Sequence, residues 1–565
     1  MSDDKTPPPH LESTSQRNGT RRRLSIVWVL LGCAWVWIQY QKDSTPYTKE
    51  PEALCAQPDA LIPEQNLYFW TALGDTLATE RVQSKSCEIG WEAQTETFDD
   101  MGPVGEDPRW ENRGAFHDYL ANAFPLVHSN LQLTKVNTYG LLYTWKGYDA
   151  TLKPTLFAAH QDVVPVNPET IDQWAHPPYS GHFDGERIWG RGSSDDKSGL
   201  VGILSAIEIL IEAGFQPART MILPFGFDEE GGGRQASLII AIDRASEYLR
   251  PLQGAGELAK YLLDIYGEHS FAFIIDEGGG FMEQFGTAFA TPGVAEKGSM
   301  NVNIEVATAG GHSSVPPPNI LSAFTSIGIL SSLLVHIEDN PFNVNIERET
   351  PMYELFQCFA AMRKIFQPLF AKLLGSPLPQ TRLLRSVEKY LFEDPVFKSL
   401  VGTTQAIDII QGGVKSNALP EQAFAVVNHR IATTSSGKAT QDHDRDLLKP
   451  LADKFNLTYV AFGEQQTLVA PHYLEPAPIT PTKGPHSAPY QVLSGTIKAT
   501  YNAHRSLSGD NIAVGPGMPS GNTDTRFYWD LTEHVFRYNH HNSGKGTNPL
   551  AGAHTVNESI PQIPS

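Results

Sequence analysis

The 565-residue chain carries 43 Lys and Arg against 63 Asp and Glu, a formal net charge of −20, with no basic cluster in its main body. That balance argues against a nucleic-acid partner, and four cysteines are too few for a disulfide scaffold. An apolar content of 41% over this length is that of a globular protein with two or more domains.

Residues 1–23 form a polar, Pro- and Ser-rich tail ending in Arg21, Arg22 and Arg23, a composition that favours disorder. The run LSIVWVLLGCAWVWIQY, Leu24–Tyr40, follows and lies at the short end of what spans a bilayer. Trp28, Trp35, Trp37 and Tyr40 suit the interfaces, and the arginines hold the tail in the cytosol. A core helix would need a polar face, and a cleaved signal peptide would need a small-residue site after the run. Residues 24–40 are therefore expected to be a single-pass signal anchor, with the body on the lumenal side. In that oxidising lumen Cys55 and Cys87 are candidates to pair, and Asn456 in NLT is a glycosylation acceptor. Asn557 in NES is a second sequon beside His554, whereas Asn18 in NGT would stay bare in the cytosol.

A linker over 41–62 leads into the body. The apolar runs TLFAA, MILPFGF and FAFII read as buried strands ending at His160, Asp228 and Asp276. After Asp195 a helical face of Leu200, Ile203, Leu204, Ile207, Leu210 and Ile211 is closed by Gly214. Strand and helix alternate in this way along the body, which predicts an α/β fold with a mostly parallel, helix-covered sheet. From Gly298 the texture changes. Val302, Ile304 and Val306 alternate with polar residues, as does AFAVVNHRI, and ILSAFTSIGILSSLLVHI reads as a helix between them. The expected organisation is a catalytic domain over 63–297 and 436–565, with a smaller α+β domain inserted at 298–435.

The chemistry is carried by His160, Asp195, Glu230, Asp276 and His554, with Asp162 and Glu229 beside two of them. Ligands in open α/β sheets gather at the carboxyl ends of strands, and buried carboxylates are costly unless paired or bound to metal. Zinc takes imidazole and carboxylate ligands and keeps an open position when catalytic. Two such ions share a bridging carboxylate. Glu229 and Glu230 leave the backbone in different directions, so one can bind metal while the other serves as general base. Asp162, two residues beyond His160, points to the same side of an extended chain and can orient that imidazole.

The strings HQDVVPV, WGRGSSDDKSG, GFDEE, IIDEG, GGHSSVP, GGVKSNALPE and SGNTDTR resemble those of the di-zinc aminoacylase and carboxypeptidase family, in particular its fungal vacuolar carboxypeptidase S branch. The resemblance implies two zinc ions, His160 and Asp276 serving one, Glu230 and His554 the other, and Asp195 bridging both. It implies Glu229 as proton acceptor and Asp162 as the active-site aspartate. By the same resemblance His312 stabilises the developing oxyanion, often from the partner subunit of a homodimer, and Asn417 and Arg430 hold a substrate carboxylate, with Gly521 and Asp524 lining the pocket. The expected activity is release of C-terminal residues from short peptides in the vacuole, with hydrolysis of N-acyl amino acids as the alternative. An extra segment, Ala236–Gln253, interrupts the family-like pattern beside Glu230, and the sequence ends at Ser565, soon after His554. The segment is expected to be a disordered or misassigned stretch rather than a lid. These two features motivate a third expectation, a catalytically silent tethered homologue.

Overall fold

The computed structural model describes residues 54–77, 94–231, 253–315, 325–362, 381–462, 473–503, 505–545 and 552–561. The expected anchor Leu24–Tyr40, Asn18, Cys87 and all of the extra segment except Gln253 lie outside them. Among the described residues no helix is long and apolar enough to cross a membrane.

The first part of the body runs through helix α1 (Asn112–Ala123), strands β1 (Gln132–Val136), β2 (Gly140–Trp145), β3 (Thr155–Phe157), β4 (Ala159–His160) and β5 (Arg187–Trp189), then α2 (Lys197–Glu212), β6 (Met221–Gly226), α3 (Ala255–Tyr266) and β7 (Phe273–Asp276). The second part carries β8 (Gly298–Ala307), β9 (Gly311–His312), α4 (Ser326–Asp339), α5 (Pro351–Met362), β10 (Thr404–Gly412), β11 (Ala418–Leu419), β12 (Gln422–Ile431), α6 (Gly437–Lys454) and β13 (Tyr473–Leu474). The chain closes with α7 (Ala488–Ala503), β14 (Val535–Arg537) and β15 (Ser559–Pro561).

The central sheet has the order β1-β2-β6-β3-β7-β14, with β4 also on β6. Pairs β6/β3, β3/β7, β7/β14 and β4/β6 are parallel, while β1/β2 and β2/β6 are antiparallel. The expected α/β class with a mostly parallel sheet is therefore what forms. Strand alternation feeds both faces. Leu141, Tyr143, Leu223 and Phe225 pack on one side with Phe116 and Leu120 of α1 and Leu200, Val201 and Leu204 of α2. Leu142, Leu156 and Ile222 pack on the other with Leu258 and Leu262 of α3. Helix α2 ends where the sequence says it should. Gly214 has φ +79° and donates its N–H to Ile211 O, while Phe215 N–H returns to Leu210 O.

The smaller sheet, β10-β12-β8-β13, is antiparallel throughout, with β8 and β12 paired from Gly298–Ile431 to Ala307–Gln422. Along β8 buried and exposed residues alternate, so one face is covered and the other meets solvent. The covered face holds Met300, Val302, Ile304 and Val306 against Ile329, Leu330 and Leu333 of α4. Leu448 and Phe455 join the same core, so α6, which starts beyond residue 435, packs on this layer too.

Cys55 pairs with Cys358 of α5 rather than with Cys87. The segment around Cys55 lies along the body: the Gln57 carboxamide donates to Val514 O and accepts from Val514 N–H, both at 2.8 Å, and Leu61 N–H bonds Gly495 O at 2.9 Å. Leu54 and Cys55 enter one apolar cluster with Phe289, Met352 and Phe356, which brings Cys55 to α5. Non-reducing peptide mapping should recover a Cys55–Cys358 linked pair. Cys358→Ser should lower unfolding stability by about 2–4 kcal/mol, the range for a bridge closing a long loop. Recovery of a Cys55–Cys87 peptide instead would contradict this pairing.

Candidate metal centre

Three strand ends deliver the cluster. The short strand β4 sets His160 opposite Gly226 of β6, and the chain leaving β6 turns within four residues to Glu229 and Glu230. Glycine is required at 226 by space, since a Cβ there would come within 2.5 Å of Asp524 Oδ2. Asp162 is fully buried and holds two of these segments together. Its Oδ1 and Oδ2 accept the backbone N–H groups of Glu229 and Glu230, both at 3.1 Å. Its carbonyl oxygen accepts from His160 Nδ1 at 2.9 Å. That bond leaves His160 Nε2 facing inward, 3.1 Å from Asp195 Oδ1 and 3.8 Å from Glu277 Oε2.

Asp195 lies between two imidazoles. Its Oδ2 is 3.2 Å from His554 Nε2, and that nitrogen is 3.0 Å from Glu230 Oε2. The His554 side chain is 53% exposed, so the cluster is open on this side. Among the described residues, two groups have candidate ligand atoms within 4.8 Å of one another: His160, Asp195 and Glu230, and His160, Glu229 and Glu277.

The electrostatics follow from crowding acids away from water. Burial, then Glu230 and Asp195, push Glu229 up to about 8, and burial together with Asp195 raises Glu277 well above the carboxylate range. Hydrogen bonds to Asp195 and Glu230 raise His554 to about 10. For His160, burial works against the charged ring, but Glu277, Asp162 and Asp195 outweigh it and raise its pKa. Glu230 Oε1 is buried with no hydrogen-bond partner among the described residues. Orphaned, acceptor-only oxygens beside two imidazole nitrogens are the donor set of a divalent cation such as zinc, so the residues present fit the expected metal.

Among the described residues Asp276 is in neither convergent group, whereas its neighbour Glu277 is in the second. Asp276 is the last residue of β7 and is buried beside Arg537 and Glu296, where it accepts the Glu277 backbone N–H. Neighbouring residues on an extended chain point to opposite sides, so the two acids approach the cluster from different directions, and the charge of His160 acts on both.

The groups expected to bind substrate divide into two sets. His312 and Asn417 are exposed on the small β9/β11 ribbon. His312 Nδ1 is 2.7 Å from Ser314 Oγ, and Asn417 O accepts from Ser313 N–H at 3.3 Å. Arg430, at the end of β12, instead donates to Asn522 Oδ1 at 3.0 Å and so joins the loop of Gly521 and Asp524. Gly521 gives its carbonyl to Arg537 Nη1 at 2.8 Å. Asp524 is buried, and burial followed by Glu229, Asp276 and Asp228 raises its pKa strongly. Asp524 thus belongs to the acidic cluster. Gln253, where the chain returns from the extra segment, is anchored too: its Oε1 accepts Val104 N–H at 2.6 Å and its carbonyl the Asn137 amide at 2.9 Å.

Residues 156–564 match Peptidase family M20/M25/M40. Carboxypeptidase S of Saccharomyces cerevisiae is 39% identical over 77% of this chain and 73% of its own. The N-fatty-acyl-amino acid synthase/hydrolase PM20D1 of Homo sapiens is 30% identical over 75% of this chain and 74% of its own. Among solved structures, human carnosine dipeptidase 1 superposes with a TM-score of 0.53 at 15% identity, covering 89% of this chain and 95% of its own. An M20 family metallo-carboxypeptidase from Sulfolobus solfataricus gives 0.52 at 16%, covering 85% and 95%. The chain therefore belongs to peptidase family M20/M25/M40 and is a hydrolase of the metallopeptidase class.

Proposed function

We propose that this chain is a zinc-dependent carboxypeptidase that releases the C-terminal residue of short peptides. The observation that carries the proposal is Asp195 set between two imidazoles, one oxygen to each, with Glu229 beside them. His160 and Glu277 would hold one zinc, Glu230 and His554 the other, and Asp195 would serve both. Zinc supplies Lewis acidity and the positive charge that the anionic cluster lacks.

The protein groups then have separate tasks. Glu229 takes a proton from the attacking water as its oxygen bonds to the scissile carbonyl carbon. It returns that proton to the amide nitrogen as the C–N bond breaks. Positive charge in the cluster opposes the burial that pushes Glu229 up to about 8, so the carboxylate form is available as a base. Asp162 holds His160 and the backbone of both glutamates in register. Arg430 would hold the substrate's terminal carboxylate, a planar guanidinium being suited to bidentate recognition, and Asn417 would join it once the ribbon beside it meets the site. His312 contributes to the developing oxyanion once the ribbon carrying it, from this chain or a partner copy, meets the site.

A second substrate class has support from the likeness to PM20D1, whose name gives it N-fatty-acyl amino acids. Both classes end in a free amino-acid carboxylate. Turnover measured in parallel on dipeptides and on N-acyl amino acids separates them, and higher kcat/KM on the peptides is the expected result. Activity on acyl amino acids alone would move the assignment. Failure on both would favour the silent homologue.

The body is proposed to be lumenal, tethered by Leu24–Tyr40 and delivered to the vacuole by likeness to carboxypeptidase S. The Cys55–Cys358 bridge suits an oxidising compartment, and Asn456 is exposed at the end of α6, open to a glycan. Asn557, by contrast, has its amide oxygen bonded to Ala175 N–H at 2.6 Å. The full-length chain should stay with the membrane through alkaline carbonate extraction; its release without glycan would contradict this topology.

Variants of the centre should separate its parts. Glu229→Gln should retain zinc while turnover falls by a factor on the order of 10²–10⁴. Asp195→Ala should lose zinc. Glu277→Ala should lose more zinc than Asp276→Ala, and the reverse order would restore Asp276 as ligand.

A further inference from the structure

The loop carrying Asp195 and the turn carrying His554 come from opposite ends of the catalytic body and meet at the metal centre. Strand β15 pairs antiparallel with β5, Ser559 opposite Trp189. One residue before β15 lies Glu558, whose side chain is 0% exposed. Its Oε1 accepts backbone N–H groups from Gly192 and Ser194 at 3.0 Å and from Asp195 at 3.3 Å. Its Oε2 takes the Arg191 guanidinium, and its carbonyl oxygen accepts Gly190 N–H at 3.0 Å. The loop is wrapped round this carboxylate. Gly192 has φ +83°, and a Cβ there would stand 2.6 Å from Val163 Cγ1, so the turn toward Glu558 is available to glycine.

We propose that Glu558 is a positioning residue that sets the separation of Asp195 and His554, and with it the zinc affinity of the centre. This rests on the metal-centre reading above. Glu558 touches neither substrate nor metal in that reading. It acts through the Asp195 backbone on one side and through the short chain from His554 on the other. Successive N–H groups converging on one carboxylate make a charge-assisted nest, stronger than neutral hydrogen bonds. Removing it leaves three buried N–H groups and Arg191 without their acceptor. The loop must then relax, and the 3.2 Å approach of Asp195 to His554 is lost.

Four full-length proteins test this: wild type, Glu558→Ala, Glu558→Gln and Glu558→Asp. Zinc alone is titrated against a chromogenic chelator, and kcat and KM are measured separately. Gln keeps the length and one accepting oxygen but offers Arg191 a donor in place of an acceptor, whereas Asp keeps the charge but is one methylene too short. In Glu558→Ala and Glu558→Asp, zinc affinity should fall roughly 10–100-fold, as for other groups that orient metal ligands. Their kcat should fall while KM changes little, and Glu558→Gln, which keeps the acceptor for the loop N–H groups but loses the one for Arg191, should recover part of both. If Ala does not fold, the contrast between Asp and Gln still decides. Wild-type zinc affinity in Glu558→Asp, with or without a lowered melting temperature, would overturn the proposal and leave Glu558 a purely structural group. A wild-type chain that binds no zinc would overturn the metal-centre reading and this proposal together.

Discussion

Everything in the catalytic body is arranged around a set of acids that cannot coexist there unaided. Asp195, Glu229, Glu230 and Glu277 approach one another within a few ångströms at a buried site, and Asp196, Asp276 and Asp524 stand just behind them. Like charges in a medium of low polarity repel strongly, and each also loses its hydration. The protein's own cations relieve this only in part. Arg537 is engaged with Glu296 and the Gly521 carbonyl, and Arg191 with Glu558. The remaining imbalance is what a divalent pair would neutralise. The raised pKa values of Glu229 and His554 are the same imbalance seen as protons held in place of metal.

The fold meets this constraint by making the site from segments that packing already fixes. A sheet with helices on both faces leaves little freedom at its strand ends, so His160, Asp276 and Glu277 emerge from rigid positions. Segments with less support are tied by carboxylates that accept backbone N–H groups. Asp162 does this for the chain carrying Glu229 and Glu230, and Glu558 for the loop carrying Asp195. In both cases a buried acid is satisfied largely by backbone donors, with a cation beside it, Arg191 for Glu558 and His160 for Asp162, so it adds order to the site.

Much of this was legible in the sequence for one physical reason. Apolar runs of strand length that stop at His, Asp or Glu announce the sheet and point to where its acids and imidazoles gather, whereas the choice between Glu229 and Glu230 comes only with the family resemblance. What stayed hidden depended on facts that a linear pattern does not carry. That Glu277 as well as Asp276 stands near His160 depends on the phase of β7, which alternation alone leaves open when the strand is buried on both faces. The partner of Cys55 lies 303 residues away, brought there by the packing of α5 on the segment that begins the body. Glu558, the middle residue of the NES sequon, gives no sign of its role in the sequence, because its three N–H partners are backbone groups that no side-chain motif records. Arg430 and Asn417 appeared as one clamp in sequence, yet they reach different surroundings, since β12 runs back toward the catalytic body while the β9/β11 ribbon stays outside.

The central claim is that this acidic cluster exists to hold two zinc ions, with protons as placeholders in their absence. Calorimetric titration of zinc into the metal-free chain near pH 7, repeated in buffers of different ionisation enthalpy, tests it directly. His554, raised to about 10, and Glu229, raised to about 8, carry protons at that pH in the empty site. Zinc must displace the proton of its ligand His554 and, by adding positive charge, lower the pKa of Glu229. The account predicts two zinc ions per chain and a measured heat that varies with the buffer, reporting net proton release. An absence of saturable binding, or binding whose heat is the same in every buffer, would contradict it.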